Sequence, residues 1–95
     1  KMTTTKYNYV RKPQVLKRFD FGSTALHDRV KNKEFVSPIH CGGNVSAYLE
    51  HEVDAMAAAY AMGLNETQIK ALVASLETQR KSAANDLLKS LKLAG

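Results

Sequence analysis

Asp20-Phe21-Gly22-Ser23-Thr24-Ala25-Leu26-His27-Asp28-Arg29-Val30-Lys31 is the stretch around which the rest of this chain can be arranged. Gly22 or Ser23 can cap a short helix, in which Leu26 and Val30 lie one turn apart and face the same buried side. The outward side of that helix carries polar residues, namely Thr24, His27, Asp28 and Lys31. A short helix that begins with small residues and presents polar groups can enter the major groove of DNA. The stretch is therefore predicted to contain a DNA recognition helix.

A second short helix is predicted just before this stretch. Pro13 is tolerated at the first position of a helix, and about two turns with one apolar side follow it, formed by Val15, Leu16 and Phe19. Residues 20–22 interrupt the helical pattern, and Phe21 is expected to fill the space between the two helices. Two short helices with a break of three or four residues have the layout of a helix-turn-helix motif.

A β-hairpin is predicted to follow the second helix. Pro38 keeps the residue before it out of the α region, and the segments 39–41 and 45–48 are predicted strands. Between them, Gly42-Gly43-Asn44 supplies the residues with positive φ that a tight turn requires. A hairpin directly after a helix-turn-helix is a wing. The predicted fold class is mainly α with a small β-hairpin wing, that is, a winged helix-turn-helix with a C-terminal helical extension.

Two further helical segments are predicted in the C-terminal half. The first covers residues 50–62, ends at Gly63, and has an apolar face made of Val53, Met56, Ala57 and Tyr60. Its first turns carry acidic residues, which interact favourably with the positive end of the helix dipole. These residues are Glu50, Glu52 and Asp54. A capping box of Asn65 and Gln68 starts the second, with an apolar stripe of Ile69, Leu72, Val73 and Leu76. Beyond Arg80 the pattern allows either one long helix or a break.

This organisation gives a DNA-binding domain over residues 7–63 and a helical extension over residues 64–95. The predicted core of the domain consists of Val15, Leu16, Phe19, Leu26, Val30, Phe35, Val53, Met56 and Tyr60. Two arrangements of the extension are open. Its apolar stripe either pairs with a second copy of the chain, as a dimerisation element, or packs back on the third helix of its own chain.

The net charge of +5 is concentrated in the N-terminal half of the chain. Residues 1–40 contain nine Lys or Arg against three acidic residues, whereas residues 41–95 contain five against six. An asymmetry of this kind favours a polyanionic partner for the basic half. A basic surface that is merely solvated would give the same pattern.

Double-stranded DNA is the predicted partner, and the candidate contacts fall into three groups. The residues of the second helix that can reach base edges are Ser23, Thr24, His27 and Asp28. The basic residues assigned mainly to phosphates are Arg11, Lys12, Lys17, Arg18, Arg29, Lys31 and Lys33. The wing residues that can enter the minor groove or touch the backbone are His40, Asn44 and Ser46.

Some of these residues also have a structural interpretation. Asp28 can form an ion pair with Lys31, and His27 can be a half-buried spacer. Arg29 can pair with an acidic residue of the third helix, and Ser46 can supply ordinary hairpin polarity. The sequence leaves both interpretations open.

Other classes of function have little support in the sequence. His40 and Cys41 are neighbours in a predicted strand and point to opposite faces, so a thiolate–imidazole pair is not expected. Metal binding is not expected because the His residues and Cys41 lack the spacing of a zinc site. No enzyme activity, catalytic residue or cofactor is predicted.

The composition also predicts a location. One cysteine permits no internal disulfide, which fits a reducing compartment. Residues 1–9 lack the apolar region of a secretory signal, and no apolar run approaches the ~20 residues that span a bilayer. The expected location is the cytoplasm, with no membrane partner.

The order of these elements resembles the AlpA family of prophage regulators, whose winged helix-turn-helix is similar to excisionase and MerR-type DNA-binding domains. The matching pieces, within about residues 7 to 80, are Val10-Arg11-Lys12-Pro13-Gln14-Val15-Leu16, Leu26 and Val30, Phe35 to Pro38, Tyr48-Leu49-Glu50-His51-Glu52-Val53-Asp54-Ala55, and Gly63 to Arg80. The chain departs from the family pattern at the turn 20–22, where Gly-Leu-Ser is usual, and at Tyr48, where Trp is usual. His27 and Asp28 stand where the family usually has Tyr and Arg.

The resemblance implies a sequence-specific DNA-binding protein that regulates the transcription of prophage or genomic-island genes. It also implies a location in the bacterial cytoplasm, in association with the nucleoid. An alternative implied role is that of an excisionase, or recombination directionality factor, which would add an integrase to the partners. A small winged helix-turn-helix usually gains site specificity by pairing, so a homodimer or a cooperative oligomer on DNA is a further expectation. A last alternative is a protein-interaction module assembled through the C-terminal helix. The target sequence is not implied, because the departures fall on the recognition helix.

Overall fold

The computed structural model of the chain describes residues 8–91. Its elements in chain order are β1 (Tyr9–Val10), α1 (Lys12–Phe19), α2 (Ser23–Lys31), β2 (Ile39–His40), β3 (Ser46–Leu49), α3 (Glu50–Met62) and α4 (Glu66–Ser90). The described protein is mainly helical with a small antiparallel sheet, as predicted. Residue 7 of the predicted domain and residues 92–95 of the predicted extension lie outside the described part.

The sheet has three strands in the order β1-β3-β2, with β3 in the middle. The predicted hairpin is confirmed, because β2 and β3 are antiparallel neighbours in which His40 lies opposite Ser46. Gly42 and Gly43 have φ values of +96° and +53°, the left-handed conformations that the turn requires. On the other edge of β3, Tyr9 pairs with Leu49. The short strand β1 thus ties the start of the described chain to the base of the hairpin.

Local signals in the sequence set the ends of the helices. Asp20 closes α1 in a left-handed conformation with φ of +59°, and only residues 20–22 separate α1 from α2. At the start of α4, Gln68 N–H donates to Asn65 Oδ1 at 2.9 Å and Asn65 N–H donates to Gln68 Oε1 at 3.0 Å. The predicted capping box is therefore confirmed. Beyond Arg80 the helix continues without a break, which answers the question that the sequence left open.

The core lies where α1, α2, α3 and the first half of α4 meet the sheet. Of the predicted core residues, the fully buried ones are Val15, Leu26, Phe35, Val53 and Met56, and the half-buried ones are Leu16, Phe19, Val30 and Tyr60. Four further buried residues lie outside the predicted core, namely Val36 and the β3 residues Ala47, Tyr48 and Leu49. Ile69 and Val73 belong to the same core. The first half of α4 therefore packs back on its own chain.

Aromatic rings fill the junction between α1, α2 and α3. Phe21 stacks on Phe19 with ring centroids 5.3 Å apart, and it meets Phe35 edge-on at 6.4 Å. Phe19 also meets Tyr60 edge-on at 5.9 Å. Edge-to-face and offset pairs at such distances add to the stabilisation that burial gives. The turn between the first two helices is thus fixed by Phe21, as predicted.

One acidic residue departs from its predicted role at the helix start. Glu52 is 0% exposed and accepts a hydrogen bond from Arg80 Nε at 3.1 Å, while a second nitrogen of the same guanidinium bonds its other oxygen. The pKa of Arg80 is raised above its usual value, chiefly by the hydrogen bond to Glu52. A buried carboxylate needs such a partner, because an isolated charge is very costly in the interior. Glu52 therefore joins α3 to α4.

Candidate nucleic-acid interface

The outward face of α2 presents the predicted base-contacting residues to solvent. Leu26 is 1% exposed and fixes the rotation of the helix, so the opposite face points away from the core. Thr24 and Asp28 lie on that opposite face, whereas Ser23 and His27 lie nearer to Leu26 and Val30 on the helix. All four residues are exposed. His27 is exposed, which excludes the half-buried spacer. Among the described residues no ion pair joins Asp28 to Lys31, so the Asp28 carboxylate is available to another group.

A groove runs between α2 and the hairpin. It has a volume of about 340 Å³ and is lined by Lys12, Leu26, His27, Val30, Pro38, Ser46 and Tyr48. Its walls come from α1, α2 and the hairpin with the segment leading into it. Three predicted DNA contacts from three different elements meet there, namely Lys12, His27 and Ser46. A cation, an imidazole and a hydroxyl that line one groove can contact phosphate oxygens through charge and hydrogen bonds.

The tyrosine of this groove is a functional candidate that sequence analysis missed. Tyr48 is buried, and burial raises the pKa of its phenol above the usual value. It therefore keeps its O–H proton at neutral pH and can donate a hydrogen bond. A signal was present in the sequence, because Ser46 and Tyr48 are two residues apart in a strand and so share one face.

The basic residues around α1 are divided between solvent and the protein body. Arg11, Lys12 and Lys17 are exposed. Arg18 forms an ion pair with Asp54 of α3, with Nη1 and Oδ1 2.7 Å apart, in a position where both side chains are about half exposed. Arg18 therefore has a partner in the free protein that a phosphate would have to compete with.

Arg29 is the only half-buried residue of the seven predicted phosphate contacts. Its guanidinium carbon lies 4.3 Å from the centroid of the Phe21 ring and 5.4 Å from that of Tyr60. Its Nη1 also donates a long hydrogen bond of 3.5 Å to the Tyr60 hydroxyl. Cations are attracted to the faces of aromatic rings. Arg29 thus contacts α3 through an aromatic residue instead of the acidic partner that the sequence suggested.

Two of the predicted phosphate contacts lie at the end of α2, namely Lys31, its last residue, and Lys33, two residues later. Both are exposed, but Lys33 has a left-handed φ of +64° and lines a separate cavity with Lys70 and Lys81 of α4. The structure therefore does not bring Lys33 together with the groove that contains Lys12 and His27.

The predicted wing residues lie on the exposed part of the hairpin. His40, Asn44 and Ser46 are all exposed. His40 and Ser46 are directly opposite each other in the antiparallel register, and opposite residues share one face of a sheet. These two side chains can therefore act on the same neighbouring molecule.

Comparisons of the chain with family models, with curated proteins and with solved structures found no match. Within residues 8–91, no group of three or more His, Cys, Asp or Glu is arranged to hold a metal ion. In that same part of the chain, no helix is both long and apolar enough to cross a membrane.

Proposed function

We propose that the chain binds double-stranded DNA as a winged helix-turn-helix, with α2 as recognition helix and the β2–β3 hairpin as wing. The groove that joins Lys12, His27 and Ser46 is the observation that carries this proposal. It lies between the exposed hairpin and the side of α2 that carries Leu26, His27 and Val30. A DNA backbone would pass there if α2 entered the major groove of the duplex.

The polar face of α2 supports direct reading of bases. The major groove is about 12 Å wide and accepts one α-helix. Thr24 can offer a hydroxyl to a base edge or a methyl group to thymine, and His27 can donate to or accept from a purine. Asp28 can accept from cytosine N4. The exposed cations in and just before α1 would then neutralise phosphates beside the recognition helix. These cations are Arg11, Lys12 and Lys17.

The resemblance to AlpA-family regulators supports a role in controlling prophage or genomic-island genes. Assistance to an integrase as an excisionase is the alternative. The two roles differ in the DNA that is bound, so mobility-shift assays with two duplexes separate them. One duplex contains the promoter of the chain's own gene, and the other contains the nearest integrase attachment site. Preferential binding to the promoter duplex supports a regulator, preference for the attachment site supports an excision factor, and equal binding to unrelated DNA contradicts both.

Removing a phosphate contact should weaken binding and reduce its salt dependence. The plot of log affinity against log salt is expected to have a slope of several units for the wild type, and Lys12→Ala should reduce that slope by about one. The measurement is a fluorescence titration of a labelled duplex at several salt concentrations.

Lys70→Ala is the matched control for Lys12→Ala. Lys70 forms an ion pair with Glu66 at 2.8 Å and lies on α4, which contributes no residue to the groove. Its replacement should leave the slope unchanged. Equal slopes for all three proteins would exclude Lys12 from the interface.

The far end of α4 supports a second role, the pairing of two copies of the chain. Leu87, Leu88 and Leu91 are 40%, 42% and 55% exposed, and residues 85–91 are exposed throughout. Helices in proteins are stabilised mainly by packing of an apolar face, and the last turns of α4 leave their leucines exposed. Asp86 and Lys89 lie beside the leucines and have opposite charges, so two antiparallel copies can place these charges opposite each other. We propose a weak homodimer that forms cooperatively on DNA.

Replacing the three leucines with serine should abolish this pairing without unfolding the domain. Leu87→Ser, Leu88→Ser and Leu91→Ser in one chain are expected to give a monomer at concentrations where the wild type self-associates. Light scattering over a concentration series measures the change. Val45→Ser, which removes a similarly exposed apolar side chain from the hairpin, should leave association intact. A wild type that is monomeric at every concentration, both free and on DNA, would exclude the dimer.

A further inference from the structure

Two side chains of α4 hold the segment that leads into the hairpin. Ser37 lies two residues before β2, and both of its backbone polar groups bond to α4. Its N–H donates to Glu77 Oε2 at 2.8 Å, and its carbonyl accepts from Arg80 Nη2 at 3.1 Å. Residues three apart are neighbours on a helix surface. One face of α4 therefore takes both the donor and the acceptor of a single loop residue.

The clamp on Ser37 is itself fixed from the other side. The Arg80 guanidinium that reaches the Ser37 carbonyl also binds both oxygens of Glu52, which is 0% exposed. The planar fork of an arginine can serve two acceptors at once in one fixed geometry. Ser37 is therefore connected through Arg80 to the interior of the protein, in addition to its bond with the half-buried Glu77.

The two ends of the hairpin are anchored in different ways. The strand that leaves the hairpin, β3, is held by the burial of Ala47, Tyr48 and Leu49 and by pairing with β1. The strand that enters it follows Val36, which is buried, whereas Pro38 and His40 are exposed. Ile39 is half-buried and pairs with Ala47, so β2 itself is held to β3. Ser37 is the position at which the segment before β2 is bonded to α4, and these bonds fix how that segment enters the hairpin.

We propose that Glu77 and Arg80 are positioning residues of the wing, which orient the hairpin for contact with a DNA duplex. In this arrangement α4 contributes to DNA binding without touching DNA. Loss of the bonds to Ser37 frees the segment before β2, so the direction of the paired hairpin varies more, and His40 and Ser46 spend less time in the orientation that reaches the duplex. The part of this inference that concerns DNA rests on the proposed function, whereas the part that concerns the orientation of the hairpin does not.

The single cysteine of the chain gives a direct probe of the hairpin. Cys41 is exposed and directly follows β2, so a thiol-reactive fluorophore labels the wing at one defined position. Glu77→Ala removes the acceptor for Ser37 N–H, whereas Glu77→Gln keeps an oxygen acceptor in the same place. Glu66→Ala removes another carboxylate of α4, one that pairs with Lys70 instead of the loop.

The full-length labelled chains are compared without DNA by fluorescence anisotropy. Glu77→Ala is expected to lower the anisotropy of the probe, while Glu77→Gln and Glu66→Ala keep the wild-type value. Recovery by glutamine assigns the effect to the bond with Ser37, because a loss of charge alone would affect both Glu77 variants equally. An unchanged anisotropy in folded Glu77→Ala would overturn the inference. If Glu77→Ala does not fold, Arg80→Lys is the second variant, since lysine keeps the charge beside Glu52 but cannot bind Glu52 and Ser37 together.

The unlabelled chains are compared for binding to a duplex that the wild type binds. Glu77→Ala should raise the Kd about threefold or more, because apparent affinity falls with the fraction of molecules in the competent conformation. Glu77→Gln should restore the wild-type Kd. A wild type that binds no duplex overturns the proposed function, and the anisotropy comparison still decides whether α4 positions the wing.

Discussion

Replacing Arg80 with alanine is expected to lower the free energy of unfolding by about 3–5 kcal/mol, because Glu52 would be left as a buried charge without a partner. Glu52 is 0% exposed and has both oxygens bonded to this one guanidinium. Small domains have a total stability of about 5–15 kcal/mol, so a loss of this size leaves a substantial unfolded fraction. Urea denaturation followed by far-UV circular dichroism measures it.

The chain contains a matched control for this substitution. Arg18→Ala breaks the ion pair with Asp54, whose side chains are 44% and 57% exposed, and such surface pairs contribute about 1 kcal/mol or less. Replacing Glu52 and Arg80 together with leucine should recover most of the loss, because a buried ion pair exchanged for apolar residues is often neutral or stabilising. Equal effects of Arg80→Ala and Arg18→Ala would contradict the assignment of the Glu52–Arg80 pair as buried.

Leu26→Ala is expected to lower the free energy of unfolding by about 2–5 kcal/mol, the range found when a buried leucine leaves a cavity. Leu26 is 1% exposed, and it is the one fully buried residue of α2. The other apolar residue on that side, Val30, is only half-buried. Leu26 is therefore the most deeply buried contact of this helix with the core, beside the smaller contact of Val30. Thermal and urea unfolding of the free protein measure the loss.

Thr24→Ala is the control on the same helix. Thr24 is exposed, and surface substitutions usually change stability by about 0.5 kcal/mol or less. A Leu26→Ala protein with the stability of Thr24→Ala would mean that α2 is not held to the core through Leu26, and the assignment of its exposed face would then fail.

The parts of the fold that sequence analysis predicted correctly are those determined by neighbouring residues. Gly42 and Gly43 permit the positive φ values of a tight turn, and Asn65 and Gln68 cap a helix with bonds that span three residues. The spacing of apolar residues gave α2 and α3 for the same reason. Such signals are local, so they can be interpreted without knowledge of what the segment packs against.

The remaining parts depend on contacts between distant residues. A glutamate at a helix start looks the same in sequence whether it faces solvent or binds a distant partner. Only the position of Arg80, 28 residues away, shows that Glu52 is buried and paired. The candidate interface likewise combines features set by neighbouring residues with features set by contacts between distant residues. The exposure of Thr24 followed from helical spacing, whereas that of His27 was left open by the sequence. The packing of Arg29 against Phe21 and Tyr60 required the aromatic junction to be assembled.

The packing of Arg29 has a consequence for how a new DNA target could be obtained. With that cation engaged by aromatic rings, the exposed side of α2 carries hydrogen-bonding groups together with Asp28 and, at its last residue, Lys31, while Arg11, Lys12 and Lys17 lie around α1. If α2 reads bases as proposed, most of the electrostatic attraction comes from residues other than those that select the sequence. Thr24 and His27 could then be exchanged to retarget the protein with its salt dependence largely retained. Natural variants of such a domain could diverge in the same way, with substitutions on the exposed side of α2 and retention of the cations around α1.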